Sequence, residues 1–331
     1  MNNAVKYGFQ KHLSSEYPSQ IVVDITEYCN LRCIHCPYPA FMKSDAFTGA
    51  QLDVNLHKKL IDEVATDGFG ICQYLRYTAN GETLLHPEFE KIINYACKHS
   101  RTKINVTTNG MLLNEKYRNI ILNAGVDVVD VSIDAFKKQT YSKIRVKGNL
   151  DLVQDNILKM LDQIKRDECK TKIVVSFVEQ FLNTDETEDF EKFWKDKGAH
   201  FVVIRKLHSA GGAKRQISKK LKSQNKSLQR KPCLYPWERL VLTPTGEISF
   251  CPAGWTGESH FSDFTDITIK EAWKSKFMQE LREAHISNNF SQHSFCENCP
   301  DWIFINWPNE GRVYADVMKQ VVPLDLIDEN L

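Results

Sequence analysis

Three cysteines crowd into eight residues near the start of the chain: Cys29, Cys33 and Cys36, spaced C-x3-C-x2-C. Thiolate sulfur is a soft ligand that selects iron–sulfur clusters or zinc over hard cations. Three protein ligands leave one position of a metal centre open, so a four-iron cube held this way keeps one iron free to bind something else. On these residues alone, a zinc knuckle or three buried thiols without a ligand remain alternatives. The strand-like run Ile21-Val22-Val23-Asp24-Ile25-Thr26 leads into the loop, and the aromatic His35 directly precedes the third cysteine. A fold that serves this loop must therefore offer the end of a strand as its platform.

Composition narrows the setting. The chain has 331 residues, enough for one large barrel-type domain and a smaller one, with 42% apolar and 26% charged residues, ordinary for a soluble globular protein. A net charge of +1 gives no global pull toward nucleic acid or anionic lipid. No apolar run approaches the ~18 residues a membrane span needs. The first residues lack an apolar signal core, so a cytoplasmic protein with reduced thiols is expected. Ten cysteines then read as metal ligands rather than disulfides. Cys72, Cys97 and Cys169 stand alone and read as small core hydrophobes.

Along the chain, residues 1–19 form a short polar lead, leaving no room for a separate recognition domain. Strands are expected at 71–79, 103–108, 126–133, 172–178 and 200–204, besides the first at 21–26. Between them, helical spacing runs over 53–66, from Pro87 onward, 115–124, 150–165 and 186–197. Alternating strands and helices imply right-handed crossovers and a parallel sheet. Six strands are fewer than the eight of a closed barrel, so an α/β fold with a partial (β/α)6, TIM-like barrel over residues 1–210 is expected.

Residues 211–231 carry eight Lys or Arg and no acid. They read as a mobile basic linker, or more sharply as a basic lid over an anionic substrate. Beyond it, residues 232–331 hold Cys233, Cys251, Cys296 and Cys299. A hairpin of 239–243 and 247–251 around Pro244-Thr245-Gly246 would bring Cys233 and Cys251 together, and a helix over 269–284 would return the chain to the C-x2-C pair. Four thiolates close the coordination of one centre, either structural zinc or [4Fe–4S]. Tyr235, Trp237, Trp255, Trp302 and Trp307 read as packing of this small hairpin-and-helix domain.

Together these motifs resemble the radical S-adenosylmethionine (SAM) superfamily, whose mark is C-x3-C-x-aromatic-C in the loop after the first barrel strand. The second set resembles the first-cluster part of the SPASM extension in its shortened, twitch-type form, because no cysteine follows Cys299. The resemblance implies two [4Fe–4S] clusters and SAM chelated at the open iron. It implies that Gly81 and Glu82, in Asn80-Gly81-Glu82, hold the SAM amine where relatives carry Gly-Gly-Glu. It further implies that Ser132 and Arg145 hold the SAM carboxylate, with Thr108 and Asn109 near the ribose or the substrate.

Strand ends at the mouth point to Arg76, Tyr77, Arg205, Lys206 and His208 as substrate-facing groups. Arg76 and Arg205 either bind something inside the barrel or pair with Asp130, Asp134 or Glu179. The expected activity is a radical SAM dehydrogenase-type oxidoreductase acting on a small, possibly phosphorylated, sugar, cyclitol or nucleotide-sugar alcohol. The auxiliary cluster would take the second electron, and a reducing partner such as flavodoxin or ferredoxin would supply the first. The rivals are peptide crosslinking or epimerisation and, in another class, a non-catalytic Fe–S or zinc protein binding nucleic acid through 211–231. Neither a membrane nor a nucleic-acid partner is expected.

Overall fold

In the computed structural model, residues 7–225, 228–308 and 310 are described. Six strands, β1 (Gln20–Val23), β2 (Tyr74–Tyr77), β3 (Lys103–Thr108), β4 (Val128–Ser132), β5 (Lys172–Glu179) and β6 (Phe201–Lys206), pair in parallel in sequence order. Each crossover carries a helix or helices, and two of these show their start as a side-chain cap in the sequence. Asp53 caps Val54–Thr66 by accepting the Asn55 and Leu56 N–H groups at 2.8 and 2.9 Å. Asn114 caps Glu115–Ala124, and Gly125 closes it in the left-handed conformation. Strands β1 and β6 are not neighbours, so the barrel is partial, as expected.

Alternation along the strands separates two faces. Leu75, Tyr77, Val106, Val131, Val175 and Phe177 face the helices and build the main core. Tyr74, Val128, Val174 and Val203 form a small apolar floor on the other face. Above that floor, nearer the C-terminal strand ends, the inner face turns polar at Arg76, Asp130, Ser176 and Arg205.

The C-terminal hairpin forms as read: β7 (Arg239–Leu242) and β8 (Glu247–Ser249) are antiparallel around Gly246, whose φ is +91°. A further strand, β9 (His260–Asp263), joins β8. Strand β7 also pairs in parallel with β1, so one nine-stranded sheet runs β6-β5-β4-β3-β2-β1-β7-β8-β9. The expected auxiliary domain thus extends the barrel sheet from its β1 edge.

Two expectations are corrected. The 211–231 segment is not a bare linker: it carries the helix Arg215–Gln224, with Ser218 and Leu221 buried. The helix expected over 269–284 breaks at Ser275, which ends Ile269–Lys274 and caps Lys276–Ser287 through the Met278 N–H. Residues 1–6 of the expected barrel domain, 226–227 of the linker, and 309 and 311–331 of the C-terminal domain lie outside the described residues. Cys72 is buried, and Cys97 and Cys169 are half-buried, all packed against the main core.

Candidate active site

The cysteine loop leaves the β1 end and is strapped to the segment after β4. Arg32 N–H donates to the Val146 carbonyl at 2.9 Å, and Ile34 N–H to that of Ile144 at 3.0 Å. Cys33 is buried, with Cys29 and Cys36 half-buried. Tyr38 closes the loop from behind: its hydroxyl accepts the Cys29 N–H at 2.9 Å, and its own N–H points at Cys36 Sγ, 3.4 Å away. Burial pushes the Cys29 and Cys36 thiols up to about 12, so in the protein alone both are neutral at pH 7. A bound metal centre reverses that balance, because its positive charge makes the thiolate the stable form.

The turn after β2 packs directly on this loop. A Cβ at Gly81 would lie 1.9 Å from the Thr26 carbonyl oxygen and 2.8 Å from that of Tyr28, so only glycine fits. Glu82 is buried, and its carboxylate braces the neighbouring strand end. Oε1 accepts the Thr108 hydroxyl at 2.6 Å, and Oε2 the Asn109 N–H at 2.8 Å. Asn109 then reaches Asn30 of the cysteine loop, Nδ2 to Oδ1 2.7 Å. Gly81, Glu82, Thr108 and Asn109 are thus brought together around the loop. Glu82 spends its carboxylate on the frame, which leaves the turn's main-chain carbonyls as acceptors for an ammonium.

Arg145 also reaches the cysteine loop, through a partner on the β4 end. Its Nη2 pairs with Asp134 Oδ2 at 2.5 Å and its Nη1 points at Cys33 Sγ at 3.7 Å. Asp134 is fully buried with φ +63°, and its Oδ1 accepts the Val178 N–H at 2.7 Å. His35 Nε2 lies 3.5 Å from Asp134 Oδ2, and Gln180 Nε2 lies 3.4 Å from His35 Nδ1. Burial holds His35 neutral, down at about 4, against the pull of Asp134. Ser132 sits half-buried at the end of β4, opposite Ser176. Three non-glycine residues with positive φ, Ala79, Asp134 and Ala210, follow β2, β4 and β6 at this same mouth. Strained backbone of this kind persists where surrounding structure holds it for function.

Inside the barrel, Arg76 and Arg205 converge on one carboxylate. Arg205 Nη2 is 2.7 Å and Arg76 Nη2 is 3.4 Å from Asp130 Oδ2, while the Ser176 hydroxyl donates to Oδ1. Two arginines thus meet one fully buried acid, and each makes further contacts besides. His208 follows β6 and accepts the Ala210 N–H at 3.0 Å. Burial pushes its pKa down, the Asp301 charge pulls it up and Arg205 pushes it down again. Lys206 is exposed and pairs with Glu179. Tyr77 leaves the candidate set: it is buried on the helix-facing side, its hydroxyl 2.8 Å from His57 Nε2. Period-two alternation puts Tyr77 opposite in sense to Arg76.

The second cysteine set is held from two sides. Cys233 N–H donates to His285 Nδ1 at 3.3 Å, and Arg230 donates to the Cys296 carbonyl at 2.6 Å. Burial, reinforced by the neighbouring thiols, raises Cys251 well above the ordinary range, and Cys233 rises to about 11. Among the described residues no three His, Cys, Asp or Glu side chains close on a single ion. Four unbridged thiols that feel one another's charge, Cys296 buried and Cys233, Cys251 and Cys299 half-buried, are nonetheless a donor set suited to iron–sulfur ligation.

Three contacts here had no sequence signal. Asp301, just past Cys299, accepts the Ser209 and Gly211 N–H groups at 2.7 and 2.8 Å and ties the loop after β6 to the second set. Trp255, expected to pack the second domain, instead meets Phe41 beside Cys29 and Cys36. Asp134, visible in the sequence only as a possible ion-pair partner, binds Arg145.

Residues 23–190 match the family model of the Radical SAM superfamily, and residues 233–300 match that of an iron-sulfur cluster-binding domain. The GTP 3',8-cyclase of Chlorobaculum tepidum is 30% identical over 185 residues, 55% of this chain and 51% of that protein, so the chain spans about half the length of such relatives. The antilisterial bacteriocin subtilosin biosynthesis protein AlbA of Bacillus subtilis is 20% identical over 90% of this chain and 69% of its own length. The crystal structure of BtrN in complex with AdoMet and 2-DOIA shares the fold. Its TM-score is 0.58 at 17% identity, covering 85% of this chain and 92% of that one.

Proposed function

This chain belongs to the radical SAM superfamily, and we propose that it oxidises an alcohol carbon of a small, anionic, polar substrate to a ketone, using one SAM per turnover. The family brings SAM and a four-iron cluster, and the C-terminal domain brings further iron–sulfur ligation. Cys29, Cys33 and Cys36 would hold the cluster that binds SAM, and Cys233, Cys251, Cys296 and Cys299 the second. Bound together, the first cluster and SAM supply a 5′-deoxyadenosyl radical.

The observation that carries this reading is the pair of arginines, Arg76 and Arg205, inside the barrel mouth on the single carboxylate of Asp130. Guanidinium groups at that mouth suit a phosphate or carboxylate on the substrate, which an Arg fork can grip with two bonds. His208 stands at the same mouth. The carbonyls of the Gly81 turn would hold the SAM amine, and Ser132 and Arg145 would hold the SAM carboxylate, with Asp134 keeping Arg145 oriented. The substrate would lose a hydrogen atom from its C–H bond to that radical, its hydroxyl proton to water, and one electron. A second cluster with all irons ligated is suited to take that electron, and the net change is a two-electron oxidation.

Peptide modification is the second reading, favoured by the match to AlbA along 90% of this chain. One screen separates the two. With a strong reductant and SAM, 5′-deoxyadenosine release should rise with phosphorylated or carboxylated polyols, and Arg205→Gln should raise their KM. Release stimulated by peptides and not by any anionic alcohol would favour the second reading. A cytoplasmic site, and reduction by a small one-electron carrier such as flavodoxin or ferredoxin, belong to the same proposal. No described helix is long and apolar enough to cross a membrane.

A further inference from the structure

We propose that Arg230 is a positioning residue that raises the reduction potential of the cluster held by Cys233, Cys251, Cys296 and Cys299. Arg230 stands three residues before Cys233, near the end of the basic segment. Its Nη2 donates to the Cys296 carbonyl at 2.6 Å and its Nη1 to that of Glu297 at 3.1 Å. The guanidinium lies over the Phe290 ring, 4.1 Å from its centroid. Nε is buried with no hydrogen-bond partner among the described residues. Its terminal nitrogens therefore go to neutral carbonyls, and the acid that acts on its charge is the exposed Glu297.

The other charges around the second set do not supply that cation. Arg239 is paired with the buried Glu238. Asp301 beside Cys299 is negative, and is held by main-chain N–H groups. Arg230, by contrast, forms no ion pair among the described residues and lies directly against the Cys296 main chain. Reducing a cluster with four thiolate ligands adds a negative charge. A fixed cation in a poorly screened site stabilises that state more than the oxidised one, so the potential rises. Groups just outside the ligands tune metal centres in this way.

The consequence rests on the proposed electron-acceptor role: a higher potential makes the second cluster a better acceptor for the electron left on the substrate. The potential itself does not depend on that role. The test is an anaerobic redox titration of the full chain followed by electron paramagnetic resonance. SAM perturbs the signal of the open-iron cluster, which identifies the other signal as the second cluster. Arg230→Gln should lower the second cluster's midpoint, and Arg230→Lys should leave it close to wild type. Glu297→Gln, which removes an exposed acid beside Cys296, should move it upward.

An unmoved midpoint in Arg230→Gln, or an equal fall in Arg230→Lys, overturns the proposal by showing that the fork serves only to tie down the carbonyls of residues 296 and 297. If Arg230→Gln does not retain the second cluster, Arg230→Lys decides by the same criterion: a wild-type midpoint supports the proposal and a fall overturns it. If the midpoint falls as expected while the ratio of oxidised product to deoxyadenosine stays constant, the potential is set by Arg230 and it is the acceptor role that fails.

Discussion

At Gly81 a hydrogen atom is all the space allows, because the Thr26 carbonyl would meet a Cβ at 1.9 Å. Gly81→Ala must push the β2 turn and the cysteine loop apart. It should cost about 1–3 kcal/mol of stability, the range for overpacking, and lower SAM affinity. Calorimetric binding of SAM to the reconstituted protein checks this, and unchanged affinity would separate the turn from the SAM site. His57 gives a pH dependence. It is fully buried beside Tyr77, and burial depresses its pKa to about 3 from an ordinary 6.5. Between those values the unfolded chain holds the extra proton, so stability falls as pH falls through that window. From pH 7 to 5.5 the loss is about 1 kcal/mol, and urea unfolding of His57→Gln should show a slope shallower by that amount. Cys29, Cys33, Cys36, Gly81 and Glu82 stand out in the sequence because their spacing is local, and the structure brings them together at the β1 and β2 ends. The pairing of Arg145 with Asp134 was not legible, because it depends on a left-handed turn after β4. Tyr77 was misread because a strand end fixes a residue's height and leaves its face open.

Elements were legible wherever a period and a terminator agreed, as in the helix that starts after Asp53 and the one that Gly125 closes. The helix Arg215–Gln224 was hidden by its lysines, although Ser218 and Leu221 stand near one turn apart and both turn inward. The pairing of β7 with β1 joins residues about 220 apart in the chain, and nothing in either strand announces it. Asp301 is what ties these late elements to the mouth. Asp301→Asn keeps the shape and one acceptor oxygen but loses the charge and the other acceptor, at a cost of about 1.5–3 kcal/mol, the worth of one bond to a charged group. Amide hydrogen exchange at residues 209–213 should quicken in that variant while exchange in β1–β5 stays unchanged. Exchange unchanged at 209–213 would show that the loop is held by other contacts.

For the whole molecule, one continuous sheet runs from the barrel into the C-terminal hairpin that leads to Cys251, and Trp255 brings the C-terminal part against the first set. That arrangement suits an enzyme whose two clusters act in sequence on one substrate. The reconstituted protein should hold about eight irons per chain, and Cys29, Cys33 and Cys36 replaced by Ala should leave about four. The decisive comparison is 5′-deoxyadenosine against oxidised product, measured side by side in the wild type and in Cys299→Ser. The wild type should form them one for one. A Cys299→Ser protein shown to lack the second cluster should still release deoxyadenosine, with little oxidised product and with solvent deuterium entering the substrate. Full oxidised product from that variant would contradict the account.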